Sequence, residues 1–164
     1  MKQIVVCPGN LAPGYNTYSP RCIKHLFNGK RVSPILDFDY DADSNSIIES
    51  INHISISGVQ EKLSAIVKEG KIRLTSQGEH GRYIIKPAPS SKHLKFRGQM
   101  PANEHLTMQI AKQIFKIKCA ENGIVFFANG DIAYITKRFD YDASDNKIKQ
   151  EDFLRNGLVD DYMR

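Results

Sequence analysis

The order of its strand-like and helix-like segments constrains this chain more than any single motif does. Three short stretches follow one another, "KLSAIV" at 62–67, "KIRLTS" at 71–76 and "GRYIIKPAP" at 81–89, with a "KEG" turn between the first two. Each is rich in β-branched or aromatic residues and bounded by turn formers, which predicts consecutive antiparallel strands. One long helical segment comes next, "PANEHLTMQIAKQIFKI" at 101–117, with Pro101 and Asn103 as its start signals. Then "GIVFFA" and "DIAYITKRF" flank Asn129-Gly130, a dipeptide that predicts a hairpin with a type I′ turn and positive φ at both central positions. Three strands, a helix and two strands do not alternate in the way that builds a parallel sheet. The order predicts an α+β fold, a five-stranded antiparallel sheet with one helix packed on it.

The part before this pattern differs in character. "CPGNLAPGYNTYSPRC" at 7–22 is dense in proline, glycine and asparagine and reads as irregular, whereas "PRCIKHLFNGK" reads as a short helix closed by Asn28-Gly29. An acidic connector, "LDFDYDADSNS", leads to a second brief helix at "SIIESINH", and a last helix begins near "KQEDFLRNGL". We therefore expect an irregular segment with short helices over 1–53, a strand-rich lobe over 54–153 and the start of something further over 154–164. A length of 164 residues suits one domain with a small appendage. The net charge of +5 is spread among nearly as many acids, so it does not single out nucleic acid as a partner. Three cysteines, an odd number, suit a reducing compartment rather than a disulfide framework. The opening "MKQIVVCPGN" is too brief for a secretory signal. No run approaches the roughly 18 apolar residues of a membrane span. The expectation is a cytoplasmic protein that does not engage membranes.

The long helix carries an acid on its apolar side. With about 100° per residue and Glu104 at zero, Leu106, Met108, Ile110, Ala111, Ile114 and Phe115 sweep one arc, while His105, Gln109, Lys112, Gln113 and Lys116 fill the other. Glu104 falls inside the apolar arc. An ionised carboxylate taken out of water costs several kcal/mol unless a cation and hydrogen bonds meet it. Lys86, at the end of "YIIK", is the expected cation, because that strand leads through the loop "SSKHLKFRGQM" into this helix. The alternative is that Glu104 merely complements the helix dipole and faces solvent. In front of the first strand, "SISGVQE" offers a similar choice between a hairpin corner and a turn whose backbone amides approach a phosphate.

A glycine turn entering a strand, a strand lysine, a helical glutamate and an outgoing hairpin form the order of parts in a protein-kinase small lobe. More closely, "ISGVQEKLS", "YIIKP", "NEHLTMQIAK", "YITKRFD" and "QEDF" resemble successive motifs of the HipA family of bacterial toxin kinases, serine/threonine kinases encoded beside a DNA-binding antitoxin. The similarity runs from about Ile54 to Phe153. It implies that Ser57, Gly58, Val59, Gln60, Glu61 and Lys62 face the phosphates of ATP with its Mg2+. It implies also that Lys86 contacts those phosphates with Glu104 fixing its direction, and that Lys137, Arg138 and Phe139 line the hinge at the adenine. Ser55 and Ser57 match the loop positions at which family members are phosphorylated. Such serines also commonly just satisfy turn amides, and Lys62 also reads as a solvent-facing strand residue.

The resemblance has gaps. Phosphoryl transfer needs a positioning aspartate, an asparagine and a metal-binding aspartate, and the stretch after Phe139 holds no histidine-aspartate catalytic loop or "DGHxKN"-like run. The expectation is a nucleotide-binding lobe without catalytic residues of its own, inactive alone. Asp140 and Asp152 read as local caps or surface charges. "CPGN…YSPRC" is similar to a zinc-knuckle-like segment of related chains, but Asn10 and Ser19 stand where a thiol and an imidazole would be. Cys7 and Cys22 alone are too few for structural zinc, so no metal is expected, and Cys119 reads as a core residue. A DNA-binding antitoxin or a separately encoded kinase lobe are the implied partners. A non-catalytic interaction protein built on the same scaffold is the alternative function, and direct nucleic-acid binding through Lys92, His93, Lys95 and Arg97 is not favoured over a solvated loop.

Overall fold

In the computed structural model, which describes residues 3–40, 61–90, 93–141 and 147–148, all five expected strands form. They are β1 (Leu63–Lys68), β2 (Lys71–Leu74), β3 (Tyr83–Pro87), β4 (Asn122–Phe126) and β5 (Ile132–Lys137). They make one antiparallel sheet in the order β2-β1-β3-β5-β4. Two α-helices are described, α1 (Pro20–Leu26) and α2 (Met100–Gln113). The helices expected at "SIIESINH" and "KQEDFLRNGL" lie outside the described residues. Among the described residues, no helix is long and apolar enough to cross a membrane.

Strand periodicity sorts the side chains onto two faces. Leu63, Ile85 and Ile135 are register partners on one face, where Ala65, Tyr83, Val125 and Ala133 join them in the buried core. The irregular N-terminal segment covers this face, contributing Cys7, Tyr18, Cys22, Leu26, Phe27, Val32 and Leu36 to the same core. Phe27 is fully buried and meets the rings of Tyr18 and Tyr83 at 4.7 and 5.6 Å between centroids. Removing a phenylalanine side chain from water stabilises by about 1.5–3 kcal/mol. The same segment closes the outer edge of β4, since Ile124 N–H donates to Pro8, Phe126 N–H to Pro34, and Leu36 N–H to Phe126. A sheet edge left open would be a template for unwanted pairing.

The opposite face carries Ile84, Lys86, Tyr134, Thr136, Ile124 and Asn122, by the pairings Ile84↔Thr136, Lys86↔Tyr134, Ile124↔Tyr134 and Asn122↔Thr136. Helix α2 packs here, over β5 and β4. Its orientation corrects the reading by periodicity. The residues it turns inward are Pro101, His105 and Gln109, with His105 only 2% exposed, whereas Ile114 and Phe115 of the apolar arc are each 68% exposed. Asn122 explains the inversion. Its side-chain oxygen lies 2.9 Å from His105 Nδ1 and accepts from Gln109 Nε2 at 3.0 Å, and its own amide donates to the Ala120 carbonyl. A polar helix face becomes the inward one when the sheet supplies its partners.

Two further differences are local. Helix α2 ends at Gln113 rather than running through Ile117, because Lys116 adopts φ 57° and Ile117 N–H turns back to the Ala111 carbonyl, a left-handed helix ending. The Asn129-Gly130 hairpin forms, but only Gly130 has positive φ. Gly130 N–H donates to Phe127 and Phe127 N–H to Asp131, so the turn is of type I with a glycine bulge rather than type I′. In the "KEG" turn, by contrast, both Glu69 and Gly70 have positive φ, at 53° and 74°.

Gly81, at the entrance to β3, has no room for a side chain. A Cβ there would lie 1.9 Å from Ser64 Oγ and 3.1 Å from the Ala65 backbone nitrogen. Gly81→Val is expected to lower unfolding stability by about 1–3 kcal/mol, read as a lower denaturation midpoint at unchanged slope in urea. An unshifted midpoint would show that the strand entrance yields freely.

Candidate functional site

The alternation of β3 that buries Ile85 turns Lys86 to the helix side of the sheet, opposite Tyr134. Helix α2 begins with Pro at its first positions and brings Glu104 over this point. Lys86 Nζ donates to Glu104 Oε1 at 2.5 Å, the two side chains retaining 22% and 30% exposure. The same ammonium sits 5.3 Å from the Tyr134 ring centroid, within reach of the negative face of the ring. Glu104 therefore reaches Lys86 from the border of the inward face of α2, although the apolar arc that motivated the pairing faces outward.

Lys62 completes the charge cluster. By strand parity it belongs to the face of Lys86, and burial followed by the nearby Lys86 charge holds its ammonium below the usual lysine range, while Glu104 draws it upward. Lys62, Lys86 and Glu104 by themselves carry one positive charge in excess, and the Glu61 carboxylate precedes Lys62 in the chain. Such an arrangement relaxes when an anion with several oxygens enters between the lysines. Next to it, the Ser90 hydroxyl donates to Glu61 Oε1, and Glu61 Oε2 is buried with no hydrogen-bond partner among the described residues. Ser55, Ser57, Gly58, Val59 and Gln60, which precede this corner, lie outside the described residues.

The end of β5 is organised differently. Lys137 Nζ reaches back to α1, donating to the His25 carbonyl and to Asn28 Oδ1 at 3.2 and 2.6 Å. Arg138 is held by Asp140 through two bonds of 2.9 and 2.5 Å and lies over the Tyr141 ring. The Asp140 carboxyl is in turn held below its usual range, first by the Arg138 hydrogen bonds, as a local partner rather than a free acid. The backbone N–H groups of Lys137 and Arg138 are spent on the Glu121 and Arg82 carbonyls. Phe139 alone of the three stands largely in solvent, 71% exposed. In the loop before α2, Arg97 donates to the Pro89 and Ser90 carbonyls, Lys92 lies outside the described residues, and Cys119 is half-buried.

Sequence comparison assigns the segment that carries this arrangement to a family. The model of the HipA-like C-terminal domain matches residues 54–161. The chain belongs to the HipA-like family. A candidate kinase of Haemophilus influenzae is 31% identical over 138 residues, an alignment that takes in 82% of this chain and 38% of that protein. The chain thus spans well under half the length of the curated relative it matches. The family match contains Lys62, Lys86, Glu104 and the β4–β5 hairpin, so the charge cluster lies wholly within the HipA-like part.

Sequence reasoning missed the His105–Asn122–Gln109 network beneath α2. Its only trace was a polar stripe at helical spacing, which by itself reads as a solvated face. It also missed that the two N-terminal cysteines meet in the core. Among the described residues there is no group of three or more His, Cys, Asp or Glu side chains placed to hold a metal ion.

Proposed function

We propose that this HipA-like chain is the nucleotide-binding lobe of a serine/threonine protein kinase of the toxin type. The observation that carries the reading is the Lys86–Glu104 ion pair at 2.5 Å with the Lys62 ammonium beside it. In this reading Lys86 and Lys62 bind the phosphates of ATP, Glu104 holds Lys86 in direction, and the loop from Ser57 to Lys62 covers the phosphates. The adenine rests near Lys137, Arg138 and Phe139, with Phe139 the one whose side chain is free to move over it. The lysine pair fits a polyphosphate. The described residues do not fit a magnesium ion on their own, so none of them is assigned to it. ATP with Mg2+, when bound, supplies the phosphoryl group, while the residues named here bind and orient. A DNA-binding antitoxin or a separately encoded kinase lobe is the proposed partner, and Ser55 and Ser57 are proposed phosphorylation positions.

Calorimetric titration tests the reading. MgATP is expected to give saturable heat in the millimolar range or below, and adenosine, lacking phosphates, to bind about tenfold more weakly or worse, the scale of a charge-assisted contact. No heat at millimolar MgATP, or equal affinity for adenosine, overturns it.

A second reading, a non-catalytic interaction protein, is favoured by one observation. Leu106, Ile110, Ile114 and Phe115 form an exposed apolar face on α2 and the turn after it, and exposed apolar patches commonly meet another polypeptide. A stoichiometric partner recovered from the native host equally with wild type and Lys86→Ala would favour it.

A further inference from the structure

Outside the charge cluster, two thiols share one place in the core. Cys7 and Cys22 have their sulfurs 3.6 Å apart in a shared hydrogen bond, Cys7 fully buried and Cys22 nearly so. The surroundings favour a sulfur anion at Cys7. Ser19 N–H and Gly9 N–H both donate to its Sγ, at 3.1 and 3.4 Å. The Cys22 thiol bonded to it, with Ser19 adding to the effect against the cost of burial, holds Cys7 well below the usual thiol range, at about 4. Cys22, bonded to that anion and buried, is pushed upward and keeps its proton. A thiolate at Cys7 within 3.6 Å of a protonated Cys22 thiol places both sulfurs of a disulfide next to each other.

One member of the pair borders the surface, and Cys7, with no exposed surface of its own, lies 3.6 Å behind it. Cys22 lines a surface cleft of about 270 Å³, together with Gly9, Asn10, Arg21, Lys112 and Lys116. Glu121, paired with Lys112, lines it as well, and a cleft of this size admits peroxide to the Cys22 side of the pair.

We propose that Cys7 and Cys22 are a redox modification site, closing to a reversible intramolecular disulfide when the protein meets a hydroperoxide. The Cys7 thiolate attacks one peroxide oxygen, the O–O bond breaks, and Cys7 becomes a sulfenic acid while the departing hydroxide takes up a proton to leave as water. Cys22 then attacks the Cys7 sulfur, displacing hydroxide, which leaves as a second water with the Cys22 proton. Two thiols are oxidised by two electrons and one hydrogen peroxide is reduced to two waters. A dithiol reverses the step by exchange.

The bond ties the first turn of the chain to α1, and both ends of that loop already rest on β4. The Pro8 carbonyl accepts from Ile124 N–H, and the Tyr18 hydroxyl donates to the Ile124 carbonyl at 2.7 Å. Oxidation therefore draws the two sulfurs together and cross-links the N-terminal cover within itself, and a bridge across a loop of this length raises the thermal midpoint by about 5 °C or more.

The test uses the full chain, treated with hydrogen peroxide, quenched, alkylated in denaturant and mapped by mass spectrometry. The expected result is a monomer lighter by two hydrogens, a Cys7–Cys22 peptide, an alkylated Cys119, a raised thermal midpoint, and reversal of all of these by dithiothreitol. Cys119→Ser should behave identically. Cys22→Ser should instead leave a Cys7 sulfenic acid trapped by dimedone, and the wild-type peptide map decides the question even where that variant folds poorly. A bridge that includes Cys119, a cross-linked dimer, or full alkylation of Cys7 and Cys22 after peroxide overturns the proposal.

Discussion

Lys86→Met is expected to weaken MgATP binding by about 10- to 100-fold while moving the thermal midpoint by no more than about 2 °C. The first figure follows from deleting a charged donor to an anion, about 1.5–3 kcal/mol. The second follows from the exposure of the pair. Glu104 keeps 30% of its side-chain surface in solvent, so water takes over when its partner is lost, and partly exposed ion pairs contribute little to stability. Glu104→Gln leaves the Lys86 ammonium in place and should weaken binding less, since it removes orientation rather than charge. Lys62→Met should fall between the two and flatten the salt dependence of binding. Calorimetry on the four proteins checks the order. Unchanged affinity in Lys86→Met, with normal folding, would remove the basis for a phosphate site on this face.

Asn122→Ala should be the most destabilising single change beneath α2, by about 3 kcal/mol. It deletes the acceptor shared by His105 and Gln109, 2% and 5% exposed. Each buried donor left without a partner costs about 1–3 kcal/mol. For a chain of this size that lowers the thermal midpoint by about 6–12 °C. The same network carries a pH signature. Burial holds His105 below its ordinary value, so the unfolded chain binds a proton that the folded one refuses. Stability is therefore full above about pH 6.5 and falls as pH drops below it, down through the depressed folded value. His105→Gln, which keeps a donor for Asn122, should flatten that fall. A denaturation series between pH 7.5 and 5 checks this, and an equal acid sensitivity in wild type and variant would assign the effect to other groups.

The strands were legible because a strand announces itself locally. The period of two over "KLSAIV" or "YIIKP" marks both an element and its two faces, and β1 to β5 formed within a residue or two of expectation. The pairing of Lys86 with Glu104 was legible only as one of two choices, because chain order pointed to Lys86 while the apolar arc that suggested a buried Glu104 faces outward. What periodicity left open on the helix was the sign. It grouped Leu106, Ile110 and Ile114 on one side and His105 with Gln109 on the other, yet the free energy that selects the inward side includes hydrogen bonds to residues far along the chain. Asn122, on β4, made the polar side the buried one. The turn at Asn129-Gly130 was similarly fixed as a hairpin by its residues and as a bulged type I turn by the bonds of Phe127.

The sequence by itself determined the order of elements and the register-bearing alternation of the sheet, since each depends on neighbours a few residues away or on connection order, and it offered Lys86–Glu104 as one of two choices that the packing of α2 then settled. Only the tertiary structure decided which face of α2 goes inward, how residues 3–40 cover the sheet, and that Cys7 and Cys22 come together. Those outcomes depend on contacts between distant segments, and a chain without periodicity, such as "CPGNLAPGYNTYSPRC", carries no local signal of what it will bury.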